Sequence, residues 1–178
     1  MINYIVVTYI KYSKAILEYE LNNKKIRIDV FVGRNGVTHS KIEGDGKTPL
    51  GKFYFGKILG MHNKNEIDIN NYIEINKNLY WVDDINSNYY NNLVDISKIK
   101  KDWNSAEHLI DNPKEYEYLI EIKTNPNNIP NKGSAIFLHC SNNKPTSGCI
   151  SIDKKYLLEI LKNINNKTII EIKKLKEQ

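Results

Sequence analysis

"IFLHCSNNKPTSGCISI", residues 136–152, carries both cysteines of the chain in one short stretch. Ile136-Phe137-Leu138 is an apolar run that ends on His139. The chain then passes Pro145, reaches Ser147-Gly148-Cys149 and enters a second apolar stretch. A strand, a loop and a returning strand account for this pattern. The nearly continuous apolar run from Ser134 to Cys140 fits a strand buried on both faces. Four roles fit the sulfur: a nucleophile, a metal ligand, a disulfide partner, or an ordinary packed side chain.

Upstream, the pattern is that of a meander. Strands are predicted over Tyr4 to Ile10, Ala15 to Leu21 and Lys25 to Val32, with Asn22-Asn23 as the turn between the last two. Gly33-Arg34-Asn35-Gly36 is a second turn. A glycine-rich loop over Glu43 to Gly51 leads into a strand over Lys52 to Leu59. The segment from Gly60 to Asn104 is polar, with short apolar pieces at Tyr72 to Ile75 and Leu79 to Val82. A short helix is predicted over Ser105 to Ile110, with Asn104 as its N-cap. In Glu115 to Thr124, period-two spacing puts Tyr116, Tyr118, Ile120 and Ile122 on one face. Asp153 caps a helix whose Tyr156, Leu157, Ile160, Leu161 and Ile164 share one side. Thr168 to Leu175 is a final strand. With no repeat and no linker, the expectation is one domain over residues 1–178, a mainly β sandwich or barrel with a few short helices.

The 178 residues are 40% hydrophobic, enough for a packed core, and no apolar run is long enough for a membrane-spanning helix. Residues 1–10 lack the basic start and the small-residue cleavage site of an export signal. The net charge of +5 comes from lysines scattered among Asn, Ile and Tyr, with arginine only at positions 27 and 34. Nucleic-acid binding would gather them on one face. The dense C-terminal group, Lys173-Lys174-Leu175-Lys176, reads as a solvated end. A mild attraction to anionic polymers such as a cell wall follows from the charge.

In the catalytic reading, the thiolate of Cys149 is the nucleophile and His139, mounted on a rigid buried strand, is the base. Gly148 admits a close backbone approach, and the N–H groups of Ser147, Gly148 and Cys149 offer an oxyanion hole. A backbone carbonyl, that of Cys140, could orient the imidazole. Cys140 itself follows the buried run as a small hydrophobe. Zinc on His139, Cys140 and Cys149 lacks a fourth ligand and the usual CxxC spacing. A Cys140–Cys149 bridge stays open. The Glu43 to Gly51 loop has Gly-Lys-Thr, but Lys41 stands where a phosphate loop needs glycine. Its two acids, Glu43 and Asp45, are too few for calcium.

Three ordered blocks carry a resemblance: "EGDGKTPLGKF" at 43–53, "YWVDDINSNYYNNLVD" at 80–95 with "WNSAEHLI" at 103–110, and "GSAIFLHCSNNKPTSGCISI" at 133–152. The sequence resembles the L,D-transpeptidase catalytic domain (YkuD-type) family, in the branch with an EGDGKTP loop. The resemblance implies a mainly β fold with Cys149 as nucleophile, His139 as base, Gly148 in the Gly-Cys pair of the oxyanion hole, and neither metal nor cofactor. It implies peptidoglycan stem peptides as substrate. A thioester forms as D-alanine leaves, and a neighbouring stem amine then gives a 3→3 cross-link. This chain has Thr146-Ser147 where the commoner pattern has Ser-His, and Ser151 where it has Arg or Asn.

Other residues in these blocks have two readings each. Tyr80, Trp81 and Asp84 line a cleft, or Trp81 is core and Asp84 a turn former. Glu107 binds a stem amine, or is an exposed helical carboxylate. Asp45 and Lys47 touch substrate, or shape the turn. Two further functions compete with the transpeptidase: a stem hydrolase (L,D-carboxypeptidase or amidase) with the same nucleophile, and a non-catalytic wall-binding module. The expected partners are stem peptides, with no nucleic acid and no integral membrane segment, and the expected state is a monomer. The family implies the cell envelope, whereas a chain without an export signal would be cytoplasmic.

Overall fold

The computed structural model describes residues 1–175; Lys176, the last of the dense lysines, lies outside the described residues. The chain opens with three antiparallel strands, β1 (Tyr4–Lys11), β2 (Lys14–Leu21) and β3 (Lys24–Phe31). Asn22 and Asn23 both take positive φ, 52° and 60°, the twist a two-residue hairpin needs, and asparagine tolerates it. The glycine-rich loop is tied down by a two-residue parallel pair, β4 (Val37–Thr38) and β5 (Thr48–Pro49). Then come β6 (Gly51–Gly60), β7 (Tyr72–Glu74), β8 (Leu79–Val82), β9 (Leu93–Asp95) and β10 (Ala106–His108). The last part holds β11 (Tyr118–Ile122), β12 (Phe137–Cys140), β13 (Ile150–Ile152), the helix α1 (Lys154–Asn163) and β14 (Ile169–Lys174).

Nine strands form one sheet in the order β11-β12-β13-β3-β2-β1-β14-β6-β7, and β6 also pairs with β11. That extra pairing closes the sheet on itself, so the fold is mainly β and barrel-like, as the strand-rich pattern predicted. The main core fills it: Ile5, Val7, Leu17, Leu138, Ile150 and Ile170 are wholly buried, and α1 adds Leu157, Ile160 and Leu161. Each such side chain contributes on the order of 1.5–3 kcal/mol over exposure. Asp153 accepts the Lys155 N–H at 3.0 Å and starts α1 where the sequence placed it.

A second core lies between the barrel and a small sheet ordered β10-β8-β9. It holds Leu59, Trp81, Leu109, Tyr116, Leu119, Phe137 and Cys149. Period-two alternation on β12 sends Leu138 and Cys140 into the main core and Phe137 into the second. His139, two residues on from Phe137, shares that outer face.

Two expectations are corrected. Residues 105–110 do not form a helix. Ala106, Glu107 and His108 pair with Val82, Trp81 and Tyr80, and only Leu109–Asp111 make a 3-10 turn. The Asn104 N–H goes to Asp84 Oδ2 at 2.7 Å, so Asn104 starts no helix. Cross-strand pairing has overridden the local helix signal. Tyr116 also does not share a face with Tyr118. Strand β11 begins only at Tyr118, and Tyr116, held by its N–H to the Asn112 carbonyl at 2.8 Å, turns into the second core.

Candidate active site

His139 and Cys149 stand on neighbouring elements because β12 and β13 pair in parallel, with Leu138 opposite Ile150 and His139 opposite Ser151. His139 is buried, and its ring packs edge-on against Tyr116 with centroids 5.6 Å apart. Its Nδ1 lies 2.8 Å from the Cys140 carbonyl. A carbonyl only accepts, so Nδ1 carries the hydrogen and Nε2 is left with its lone pair. Burial pushes the imidazole below its ordinary value, outweighing that carbonyl and Glu115. The neutral ring is therefore the form present at neutral pH.

Cys149 follows Gly148, whose φ of 147° is outside the range of ordinary side chains. A Cβ there would stand 3.0 Å from the Lys47 carbonyl and 3.3 Å from Lys41 Nζ. The Cys149 thiol lies 3.1 Å from the Ala135 carbonyl and 3.3 Å from the Phe137 N–H. Ala135 takes the left-handed region, φ 51°, at a residue whose carbonyl accepts from the thiol. Burial, reinforced by Glu107, pushes the thiol up to about 12, with the Phe137 N–H and Lys41 pulling the other way. In the resting protein Cys149 is thus a protonated thiol, and neither of its two partners is His139. Cys140 is a free buried thiol raised to about 11 by burial, its Sγ directed at the Tyr118 carbonyl. No disulfide joins the two cysteines.

The loop before Cys149 is braced from several sides. Thr146 exchanges backbone hydrogen bonds with Val32 and Arg34. Its hydroxyl donates to the Cys149 carbonyl at 2.6 Å and accepts the Gly148 N–H at 3.1 Å. Thr48, fully buried, accepts the Gly33 N–H at 2.9 Å and donates to the Gly148 carbonyl at 2.8 Å. One expectation fails here: the Gly148 N–H is occupied by Thr146 and is not free for an oxyanion. The N–H groups of Ser147 and Cys149 have no acceptor among the described residues.

Two cavities meet at Cys149. One, about 260 Å³, is lined by Arg34, Lys41, Glu43, Asp83, Glu107 and Ser134 among others. The other, about 350 Å³, includes Glu107, Tyr116, His139, Pro145 and Ser147. A larger cavity of about 770 Å³ lies elsewhere, among Phe55, Asp68, Glu121 and Lys162, and is lined by neither cysteine nor histidine. Glu107 faces both cavities at Cys149. It sits on β10, not on an exposed helix. The residue is half-buried, and its carboxyl accepts from the Tyr116 hydroxyl. Burial raises it to about 7, with Asp83 and Glu43 adding to the rise and the Tyr116 hydrogen bond opposing it.

The remaining candidates are placed as follows. Asp45 accepts Lys41 Nζ at 2.5 Å and the N–H groups of Ile42 and Lys47 at 3.0 and 2.8 Å. Burial alone would raise it, but those bonds hold it below the usual carboxylate range. Lys47 contributes backbone: its carbonyl accepts Lys41 Nζ at 2.9 Å. Both residues shape the loop against Gly148. Trp81 is core, edge-on to Phe137 at 4.8 Å, with its Nε1–H donated to Asn91. Tyr80 stacks on His108 at 4.3 Å, away from the thiol cavities. Asp84 forms a turn by accepting the Asn86 and Asn104 N–H groups. Ser151 is buried beside His139, and its Oγ has no partner.

Several lining residues escaped the sequence reading. Arg34 Nη1 donates to Ser147 Oγ at 2.8 Å and so brings a guanidinium to the loop although position 151 is serine. No motif links Lys41 to Cys149, Asp83 lies in the 80–95 block without a role of its own, and the spacing around Tyr116 points only to a strand face. Among the described residues, no group of three or more His, Cys, Asp or Glu has metal-binding geometry, and no helix is long and apolar enough to cross a membrane.

No curated protein matches this chain. Among solved structures, Mycobacterium tuberculosis L,D-transpeptidase 1 matches at 13% identity and a TM-score of 0.38. That match covers 95% of this chain and 61% of the other. The family described as the L,D-transpeptidase catalytic domain (YkuD) matches over residues 3–172, a span that includes all three sequence blocks and the residues lining both cavities. The chain belongs to that family.

Proposed function

We propose that residues 1–178 are a single cysteine-dependent L,D-transpeptidase domain acting on peptidoglycan stem peptides. The observation that carries this is Cys149 in the shared wall of two cavities, beside a neutral, carbonyl-oriented His139. Substrate entry displaces the thiol from the Ala135 carbonyl and brings it within reach of His139 Nε2. The imidazole takes the thiol proton, and the thiolate attacks the carbonyl of the third stem residue. The C–N bond to D-alanine breaks, His139 returns the proton to the leaving amine, and a thioester remains. The unengaged Ser147 and Cys149 N–H groups stabilise the oxyanion, with Arg34 beside them. An amine of a second stem then takes the acyl group. This chemistry calls for no metal or cofactor, and family membership points to the cell envelope as the place of action.

Ser151, in place of the family's Arg or Asn, favours a second reading in which water is the acceptor and the protein trims stems. Purified tetrapeptide muropeptides incubated with the protein and with Cys149→Ala separate the two. The first reading expects a dimer short of one D-alanine, made only by the native protein. A monomer short of D-alanine supports the second. Equal turnover by Cys149→Ala would contradict both.

A further inference from the structure

The two cavities at Cys149 differ in the base they present. His139 opens on one of them, whereas Glu107 opens on both. In the cavity without His139, three carboxyl groups gather: Glu43, Asp83 and Glu107. Their surroundings do not satisfy them equally. Glu43 accepts from Tyr90 at 2.5 Å and from Ser134 at 2.8 Å. Asp83 Oδ1 is buried with no partner. Glu107 Oε2 accepts from Tyr116, while Oε1 has no hydrogen-bond partner among the described residues. The two cations of the cavity are engaged, Lys41 in its ion pair with Asp45 and Arg34 with Ser147. A buried carboxylate oxygen without a donor, as at Asp83 Oδ1, is costly, and Glu107 beside it leaves Oε1 open in the same cavity, so the site is built for a donor that arrives from outside. The complement is a primary ammonium, which brings three N–H groups and one positive charge.

We propose, on the reading of Cys149 as an acylated nucleophile, that Glu107 is a catalytic residue of the second half-reaction: Oε1 holds the incoming amine as an ammonium, with Asp83, and accepts one of its protons. His139 serves the first half-reaction from the other cavity. The step balances. The ammonium gives one proton to Glu107 and becomes a free amine. Its lone pair attacks the thioester carbonyl, a C–N bond forms, and the C–S bond breaks with its electron pair on sulfur. The amide nitrogen gives up its surplus proton to the Cys149 thiolate, which restores the thiol. Glu107 then loses its proton to solvent. Glutamate at this position thereby sets the choice between amine and water as acceptor.

The groups facing Glu107 are Tyr116 and Cys149 beside it and Asp83, Glu43, Lys41 and Arg34 in the acidic cavity. From the second cavity come His139, Glu115 and Lys144. The carboxyl sits at about 7 in this company, raised mainly by burial, so it ionises over the range in which the reaction is measured. Protonated, it can neither hold the ammonium nor take its proton.

The test uses N-acetylmuramyl tetrapeptide as both donor and acceptor. It reads the ratio of cross-linked dimer to hydrolysed monomer across about pH 5.5–8.5, and the intact protein mass for the acyl-enzyme. For the native protein the ratio should climb through about pH 7, on top of the amine's own ionisation. Glu107→Gln keeps an acceptor for Tyr116. It should lower the ratio at least about tenfold, remove the step near neutrality and let the acyl-enzyme accumulate. Tyr116→Phe removes the hydrogen bond that favours the ionised carboxyl and should move the step to higher pH, a shift that a packing role would not produce. A Glu107→Gln protein with the native ratio and pH profile overturns the proposal while leaving the acyl-enzyme reading intact. Absence of any acyl-enzyme on the native protein defeats that reading and this one with it.

Discussion

At Cys149 the burial that makes the thiol inert also fixes its surroundings. In the proposed mechanism its proton leaves to His139, whose imidazole burial holds below its ordinary value. His139→Gln is expected to slow acylation by about 10²–10⁴ in single-turnover measurements, the usual worth of a general base. Because a base works only when unprotonated, and burial lowers this one, native acylation should hold as pH falls to its ordinary value of 6.5 and decline only below it. Glu107 has the opposite sign. Its folded value of about 7 lies above the ordinary 4.5, so the folded protein holds a proton that the unfolded chain has lost. Stability should fall as pH rises through that window. Glu107→Gln removes the penalty and should stabilise the protein by roughly 2–3 kcal/mol above pH 7, read as a higher denaturation midpoint at pH 8 with little change at pH 4. The same substitution that costs cross-linking is thus expected to harden the fold.

At the scale of elements, the glycine-rich loop and the cysteine loop act as one unit. Thr48 joins them through the Gly33 N–H and the Gly148 carbonyl, both buried. Thr48→Val preserves shape and leaves two backbone groups unpaired, at about 1–3 kcal/mol in denaturant unfolding, with acylation reduced because Gly148 is no longer held. The strands and α1 were legible because their periodicities are strong: Leu17, Tyr19 and Leu21 alternate with Glu18 and Glu20, and Leu157, Ile160 and Leu161 recur at helical spacing. His139, Cys149 and the Cys140 carbonyl were legible because they lie within one short stretch. What could not be read depends on partners distant in sequence. Glu107 looked helical until β10 paired with β8, and Tyr116 appeared to continue β11 until the strand proved to start two residues later. Arg34, Lys41 and Asp83 reach the cavity from segments with no motif linking them to Cys149.

At the scale of the molecule, the site depends on closure of the barrel. β14 pairs with β1 in parallel and with β6 antiparallel, and its Ile170 and Ile172 are buried in the main core. Replacing both by alanine should cost about 4–10 kcal/mol if their effects add, comparable with the whole stability of a domain, and should leave the protein without a cooperative thermal transition. Trp81→Ala, in the second core under Phe137, should cost about 3–5 kcal/mol, and loss of activity should follow its loss of fold. The two cores therefore meet where the chemistry is placed: β12 faces the first with Leu138 and the second with Phe137, and His139 stands at its end.

The most direct measurement is the intact mass of the protein quenched during reaction with a tetrapeptide stem, followed by peptide mapping. The expected result is an added mass equal to the stem less D-alanine, on Cys149 alone and absent from Cys149→Ala. Adduct on Cys140, or full turnover of the stem by Cys149→Ala, would contradict the assignment of Cys149 as the nucleophile.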